Sequence, residues 1–398
     1  MKRMIINLVT CVVILCLFAG YQIFKQKQDI KVSSNDSFNL KLLKVVNKDN
    51  KKNYLISPYS IEIALNMLKS GADGDTYNQI DKVVGTRNIN FLDSQDVKVA
   101  NALFIKEKYK DFIIKEFSSN LVKDYSSDIL YDEFVKPDVI NNWVSDHTNK
   151  LIPTLLNKMN PHFVLGLANA VAIDVKWQDQ FDANDTYEET FKNGSKEKDV
   201  EMMHQTYDTS DYKYFKTDNA KGIMLPYVEK NNVALEFVGI LPNDDLNNYI
   251  NNLNEEELKK IDNNAKEASD KLNIELSLPK FEYDYEIEDF ISLLKKMGIK
   301  DVFDKDNANL TKMMTKEDMY KNGFDNLYVG EAIHKTKIKV AEKGTEAAAV
   351  TYFGVFETSG MISDQPKIIE IKFNKPFMYM IKDKHTQEIL FIGTVYEP

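Results

Sequence analysis

The chain of 398 residues contains only two cysteines, and both stand near its N-terminus, at Cys11 and Cys16. They lie inside one apolar run, and the residues before them, Thr10 and Leu15, do not suit lipid attachment. The rest of the chain therefore has no thiol. This excludes from it a cysteine nucleophile, a zinc–thiolate centre and a disulfide framework.

Histidine is also scarce, with five residues, and none stands in a metal-binding pattern such as H-E-x-x-H. A nucleophile elbow and a phosphate-binding glycine loop are both missing. The run from Asp304 resembles a calcium loop only weakly, because its sixth position is Asn309 and its twelfth is Thr315. His334 could be a catalytic base, but with no nucleophile paired to it we interpret it as a structural histidine. We expect no metal and no cofactor.

Positive charge is in deficit, since 51 Lys and Arg face 61 Asp and Glu and the formal net charge is -10. No basic stripe interleaved with aromatic residues is present, and an acidic body repels phosphate backbones. Nucleic-acid binding is therefore not expected.

Long hydrophobic runs are limited to one, Ile5–Gly20, which follows Lys2 and Arg3 and extends with less apolar residues to Phe24. Cations before such a run are typical of a secretory signal or a signal anchor, and the run is just long enough to span a bilayer. No small-x-small cleavage site stands out, which favours an anchor, and a buried core helix is the alternative. We expect residues 1–24 to be a signal peptide or anchor, 25–36 a linker, 37–398 one domain, and the protein to be extracellular or at the cell surface.

The patterned segments predict an α+β fold with a mainly antiparallel sheet, because helices come first and strand-like runs crowd the second half. Helices are predicted from Ser57, a cap followed by Pro58, to Gly71, and over residues 139–152. A buried strand is predicted over 167–177 and a further helix over 290–299. The other strand-like runs are 232–242, 273–281, 334–342, 368–373, 376–381 and 388–396.

One stretch fits two structures: E-K-G-T-E-A-A-A-V-T-Y-F-G-V-F-E-T-S-G-M, residues 342–361. Its alanines favour a helix. Read with a period of two, however, one face is uncharged and grows from small to large, as a strand that slides between two existing strands requires. Gly344 supplies the backbone freedom of a hinge. That face carries Thr345, Ala347, Ala349, Thr351, Phe353 and Val355.

Several long motifs in order resemble the serpins, over about residues 36–398. They are S-P-Y-S-I-E-I-A-L-N-M with G-A-D-G-D-T, N-A-V-A-I-D-V-K-W, L-P-K-F, H-K-T-K-I-K-V-A-E-K-G-T-E-A-A-A-V-T and F-N-K-P-F-M-Y-M-I. The resemblance implies about nine helices around three mainly antiparallel β-sheets, with an exposed reactive-centre loop. It also implies a suicide substrate of serine proteases, which traps the acyl-enzyme by inserting the cut loop into the central sheet.

The resemblance assigns residues to three places. The hinge would comprise Glu342, Gly344, Thr345, Glu346, Ala347, Ala348, Ala349 and Thr351. A hydrogen-bonded shutter beneath the insertion gap would comprise Ser57, Ser60, Asn169 and His334, and the mouth of the gap Trp177, Lys280 and Glu342. Each also has a plain structural interpretation, as a helix cap, a core residue or a surface ion pair.

Counting from Gly344, as in most of the family, places the reactive bond between Thr358 and Ser359, which suits an elastase-like or subtilisin-like protease. The segment after Ser359 is longer than in many relatives, so 356–357 and 361–362 remain possible cut sites. No Lys or Arg stands between 345 and 365, so a trypsin-like target is not expected. The segment 84–100 is too short for a basic helix that binds a polyanion.

The expected partner is a target serine protease, held covalently by a monomeric inhibitor that is not itself an enzyme. A non-inhibitory, serpin-like carrier or surface interaction protein is the main alternative. A membrane-tethered hydrolase is a third hypothesis, which no pair of catalytic residues supports.

Overall fold

The computed structural model describes residues 36–48, 51–86, 89–92, 94, 96–345 and 366–398. Three single 3₁₀ turns, Glu107–Phe112, Ala183–Asp185 and Asp301–Phe303, accompany the α-helices of this part of the chain. The α-helices are α1 (Phe38–Asn47), α2 (Pro58–Ser70), α3 (Gly74–Val84), α4 (Lys115–Tyr125), α5 (Asp138–His147), α6 (Leu246–Asn252), α7 (Glu255–Asn263), α8 (Phe290–Met297) and α9 (Lys316–Lys321).

Helix α2 confirms the predicted start and end signals. The Ser57 side chain accepts a hydrogen bond from the backbone N–H of Ser60, Pro58 occupies the first turn, and Gly71 follows the last residue. Such a cap satisfies one of the N–H groups that a helix leaves unpaired at its start. These neighbouring residues therefore fix the start of the helix, whose N-terminus lies in the centre of the molecule.

The predicted helix over 139–152 ends early, and the prediction was wrong for its last residues, 148–152. Helix α5 stops at His147 because Asn149 and Lys150 both adopt positive φ angles, of 50° and 65°. The Thr148 hydroxyl donates to the carbonyl of Val144 and so satisfies a carbonyl of the last turn. Residues after 148 instead form an irregular connection that leads back to the sheet.

Every one of the six strand-like runs in the second half contains an observed strand, and residues 167–177 hold two. The strands are β1 (Tyr54–Ile56), β2 (Val97–Lys106), β3 (Asp128–Asp132), β4 (Leu165–Ile173), β5 (Val175–Lys176), β6 (Thr186–Asn193), β7 (Lys196–Tyr207), β8 (Lys213–Lys216), β9 (Ala220–Pro226), β10 (Leu235–Pro242), β11 (Lys266–Glu267), β12 (Leu272–Pro279), β13 (Phe281–Glu286), β14 (Lys335–Ala341), β15 (Gly344–Thr345), β16 (Lys367–Lys372), β17 (Phe377–Asp383) and β18 (Ile389–Val395).

These strands form three sheets, one of which is divided. A seven-stranded sheet has the order β1-β18-β17-β10-β9-β8-β11, and a four-stranded sheet has the order β16-β12-β7-β6. The large sheet consists of two hydrogen-bonded parts, β3-β2-β4 and β13-β14-β15-β5, which are continuous along the chain because β5 follows β4 after Asp174. Pairing is antiparallel except between β2 and β3 and between β12 and β16.

The large sheet is covered on both faces. On one face, Trp143 of α5 packs edge-on against Phe104 of β2, with the ring centroids 5.7 Å apart. Phe134 and Ala170 complete this smaller apolar cluster, while the main core lies on the other face and includes the seven-stranded sheet. The gap between the two parts of the large sheet therefore lies between α5 on one face and the main core on the other.

Candidate functional site at the division of the large sheet

The division of the large sheet lies between β4 and β14. β4 pairs with β2, and β14 pairs with β13 and β15, so that in the described residues β4 and β14 are not hydrogen-bonded to each other. A small cavity of about 20 Å³ lies in this division. Its walls include Val171 to Ile173 of β4 and Thr336 to Lys339 of β14. Thr148, Leu151 and Ile152, from the connection that follows α5, also line it.

β15 already lies between the two parts of the sheet, at the end of the cavity that we call its upper end. Thr345 of β15 lines the cavity there. Gly344 is opposite Ala341 on one side and Lys176 on the other, and Thr345 is opposite Val340 and Val175. Both pairings are antiparallel. Thr345 is only 2% exposed, and its hydroxyl lies 2.7 Å from that of Tyr227. The chain thus enters the gap with a small, uncharged side chain facing the core.

Gly344 is required by the closeness of its neighbours. Its φ angle is +151°, and a Cβ placed on it would lie 2.0 Å from the carbonyl oxygen of Val175. No side chain fits there without moving β5, and the φ angle itself disfavours other residues. The glycine therefore permits the first pairing of the segment with β5.

Trp177 anchors the segment before Gly344. Its indole N–H donates to the carbonyl of Ala341 at 2.9 Å, and its backbone N–H donates to the carbonyl of Lys343 at 3.0 Å. The ring stacks on Tyr227 with the centroids 4.5 Å apart and an interplanar angle of 9°. Tyr227 contacts both the anchor and Thr345, yet no sequence signal marked it, because it merely ends an apolar strand.

Lys280 and Glu342 form an ion pair at the mouth of the gap, with Nζ and Oε1 3.1 Å apart. Lys280 also lies 3.2 Å from Glu201. Burial alone would lower the pKa of Lys280, but the hydrogen bonds that its ammonium donates to the two carboxylates outweigh burial and raise the pKa. Burial likewise would raise the pKa of Glu342, but its backbone hydrogen bond and Lys280 lower it. Both groups are therefore charged at neutral pH.

Replacing Glu342 by glutamine should lower the free energy of unfolding by about 1 kcal/mol at pH 7, the scale of a partly exposed ion pair. Because folding lowers the pKa of Glu342 from 4.5, this contribution is present above that pH and is lost as the pH falls further. A double-mutant cycle with Lys280→Met measures the coupling by urea unfolding. The exposed pair Lys192–Glu197 is the control, and equal coupling in both pairs would contradict the expectation.

Ser57, Ser60 and His334 meet below the gap. The backbone N–H of Ser57 donates to His334 Nε2 at 3.1 Å, while the Ser57 hydroxyl caps α2 through the N–H of Ser60. Nε2 therefore accepts, which places the ring hydrogen of the neutral imidazole on Nδ1. Burial lowers the pKa of His334 to about 4. Because His334 is buried and its Nε2 already accepts a hydrogen bond, its role among the described residues is structural.

Asn169 of β4 does not take part in the hydrogen bonds that join Ser57, Ser60 and His334. Its Nδ2 donates to Asn101 Oδ1 at 2.7 Å, and in the described residues its Oδ1 is buried without a hydrogen-bond partner. It makes no hydrogen bond to His334 there. The unused acceptor of this Asn on β4 is available to a further hydrogen-bond donor. Asn101, its present partner on β2, was not anticipated from the sequence.

Acid should weaken the contact between α2 and β14 through His334. Its pKa in the folded protein is depressed, so the stabilisation is complete above about 6.5 and is lost as the pH falls towards 4. The lowering of the His334 pKa corresponds to a loss of about 3 kcal/mol in the free energy of the first unfolding transition. Urea unfolding between pH 7.5 and 4 should show this loss in the parent protein and not in His334→Gln. An identical pH profile in both proteins would contradict the assignment.

The remaining predicted site residues lie outside the described residues. These are Glu346, Ala347, Ala348, Ala349, Thr351, Thr358 and Ser359, together with the alternative cut sites. The candidate signal or anchor, residues 1–24, also lies outside them. Within the described ranges, no helix is both long and apolar enough to cross a membrane.

A large sheet that is open along one line, with a short strand seated at one end of the opening, leaves two strand edges to which an additional strand could pair. The family profile for Serpin (serine protease inhibitor) matches residues 33–398. The chain belongs to the serpin family. Members of this family are generally protease inhibitors rather than catalysts.

The relatives agree in sequence and in fold. The chain is 30% identical over 402 residues to an uncharacterised serpin-like protein of Thermococcus kodakarensis, covering 95% of this chain and 88% of the relative. It is 31% identical to a leukocyte elastase inhibitor of Xenopus tropicalis, with 91% and 97% covered. The crystal structure of tengpin, a thermophilic serpin in its native state, superposes with a TM-score of 0.74 at 31% identity, covering 92% and 93%. The serpin fold with mainly antiparallel sheets is thereby confirmed.

Proposed function

We propose that this protein is a suicide-substrate inhibitor of serine proteases that traps its target by inserting the cut reactive loop into the large sheet. The observation that carries the proposal is the position of β15, hydrogen-bonded to both β14 and β5 at the upper end of the open gap. A segment that has begun to pair on both sides needs only to continue in the same register.

Continuing the register of β15 matches each later residue with partners of suitable size. It would set Ala347 opposite Ile338 and Ile173, and Ala349 opposite Thr336 and Val171. Thr351 would come opposite His334 and Asn169, whose free acceptor it could use. Small side chains would thus enter the wall positions that face the core.

The chemistry of trapping follows from the ordinary protease reaction. The protease serine Oγ attacks the carbonyl carbon of the reactive bond, the amide bond breaks, and the new amino terminus takes the proton relayed by the catalytic histidine. The carbonyl side remains as an ester on the protease. Insertion of the freed loop then carries the esterified protease away before water can attack the ester.

The free energy of insertion is large enough to drive this movement. About ten residues that pair on both sides form on the order of 10 to 20 hydrogen bonds, each contributing about 1 kcal/mol net. This equals or exceeds the total stability of a typical domain. Because it is released only after the loop is cut, cleavage and trapping are coupled.

The reactive bond is assigned to Thr358–Ser359, and the target to an elastase-like or subtilisin-like protease with a small primary pocket. The relative from Xenopus tropicalis is named for inhibition of leukocyte elastase. Incubation with elastase and with subtilisin should give a complex that survives denaturant, and mass spectrometry of the released peptide should locate the cut. Cleavage with no complex would favour the non-inhibitory carrier, while a complex cut at another bond would move only the assigned site.

We also propose that the protein is a monomer, exported and either released or anchored through residues 1–24. The support is the flanked apolar run Ile5–Gly20. Intact-mass analysis of protein from the culture medium and from the membrane fraction should find residues 1–24 removed or retained. Recovery in the cytoplasmic fraction alone would contradict export.

A further inference from the structure

A row of polar side chains crosses the four-stranded sheet β16-β12-β7-β6 on one face. Lys372 of β16 is directly opposite Ser277 of β12, which is directly opposite His204 of β7. Glu189 and Tyr187 of β6 complete the row at the far edge. This row does not belong to the site between β4 and β14.

Lys372 and Glu189 join the two edge strands of this sheet. The Lys372 Nζ lies 2.8 Å from Oε2 of Glu189 and 3.1 Å from Oε1, and the Glu189 side chain is 19% exposed. The pair therefore crosses above the two central strands. β16 is the first described element after the segment 346–365, so that this ion pair helps to hold the strand that follows the reactive loop.

His204 lies beneath this pair with one nitrogen unused. Its Nδ1 is 3.1 Å from the Ser277 hydroxyl, and the Tyr187 ring stacks on it at 4.2 Å with an angle of 11°. In the described residues its Nε2 is buried without a hydrogen-bond partner, 3.7 Å from Oε1 of Glu189. Protonation would place a hydrogen and a positive charge on this nitrogen. Only a nearby carboxylate can accept a hydrogen bond from it and balance the charge.

The carboxylate within reach already binds Lys372. A charged His204 would compete with Lys372 for Glu189 and would place a second cation beside the first. The other acidic group that acts on the ring, Asp185, attracts the charge more weakly than Glu189, and the Ser277 hydroxyl carries no charge. The geometry thus couples the charge on His204 to the attachment of β16.

We propose that His204 is an acid-sensitive switch that, when protonated, loosens β16 by withdrawing Glu189 from Lys372. In a serpin that works by loop insertion, release of β16 would let the uncut loop enter the large sheet and spend the inhibitor without a protease. This consequence rests on the proposed function, whereas the loosening of β16 does not.

The direction of the effect follows from burial. Burial lowers the pKa of His204, Glu189 raises it in part, and Lys372 lowers it further, so the pKa in the closed sheet lies below the ordinary 6.5. A histidine with a lowered pKa stabilises the folded arrangement above that value and loses this contribution as the pH falls. Opening of β16 should therefore increase below about pH 6.5, by about tenfold for each unit of pKa difference.

Hydrogen exchange of the backbone amides of residues 367–372 tests the proposal. After correction for intrinsic exchange rates, these amides should open more often at pH 5.5 than at pH 7.5 in the parent protein, by up to about tenfold, and equally often at both pH values in His204→Gln. His385→Gln is the matched control, because His385 is exposed in another part of the fold and faces Glu229. It should behave as the parent does.

Lys372→Met provides a second, independent variant. Without the lysine, His204 has no cation to compete with for Glu189, so β16 should be less protected at pH 7.5 and should lose less further protection in acid than it does in the parent. Protection of β16 that does not change with pH in the parent, acid loss that persists in His204→Gln, or an acid loss in Lys372→Met as large as in the parent would overturn the proposal. None of these results depends on whether the protein inhibits a protease.

Discussion

Replacing Thr345 by arginine should convert the protein from an inhibitor into a substrate. Thr345 is 2% exposed between β14 and β5, and its hydroxyl bonds to that of Tyr227. An arginine there must either bury an unpaired charge, at several kcal/mol, or stay outside and keep the loop from entering. Each 1.36 kcal/mol slows insertion tenfold, so trapping should slow at least about 100-fold, while acylation is unchanged.

The measurement is the partition of the cut protein between covalent complex and free cleaved inhibitor, read on a denaturing gel with subtilisin or elastase. The matched control is Glu346→Arg, one residue further on, since an inserted strand that continues the register of β15 would point this residue away from the core. Glu346→Arg should form more covalent complex with the protease than Thr345→Arg does. Equal complex formation by the parent and by Thr345→Arg would show that residue 345 does not have to enter the sheet.

Local signals predicted those parts of the fold that depend on neighbours in sequence. Ser57, Pro58 and Gly71 delimit α2 because a cap, a restricted φ and a helix end are all properties of a few residues. The apolar runs of β10, β17 and β18 are central strands of a buried sheet, so burial on both faces marks them in the sequence. The family resemblance supplied the division of the strands into three sheets, which periodicity alone does not contain.

What the sequence did not predict depends on contacts between distant residues. β2 was missed, although it pairs with both β3 and β4, because its run of small, polar and large residues has no clear period. The end of α5 was wrong because the two positive φ angles after it leave no signal in Asn149 and Lys150 themselves. Tyr227 and Asn101 became part of the site only when the sheet brought them beside Thr345 and Asn169.

Cutting the reactive loop should make the protein much more resistant to heat. Pairing of about ten loop residues with β4 and β14 adds on the order of 10 kcal/mol, and each kcal/mol is worth about 2–4 °C in a large domain. The midpoint of thermal unfolding should therefore rise by roughly 20 °C or more after limited proteolysis. Circular dichroism of the intact and clipped protein measures this, with the clip located by mass spectrometry.

Gly344→Ala links this gain in heat resistance to the gap itself. The added methyl would lie 2.0 Å from the carbonyl oxygen of Val175, so the first pair with β5 cannot form and the clipped variant should gain little. Gly330→Ala is the matched control, because its methyl would meet only ordinary contacts at 3.6 Å with the Tyr328 ring, and it should gain as much as the parent. If clipping leaves the unfolding temperature of the parent unchanged, the energy needed to displace a protease is not stored in this sheet. If clipped Gly344→Ala gains as much as the parent, the energy is stored but does not depend on entry beside Val175.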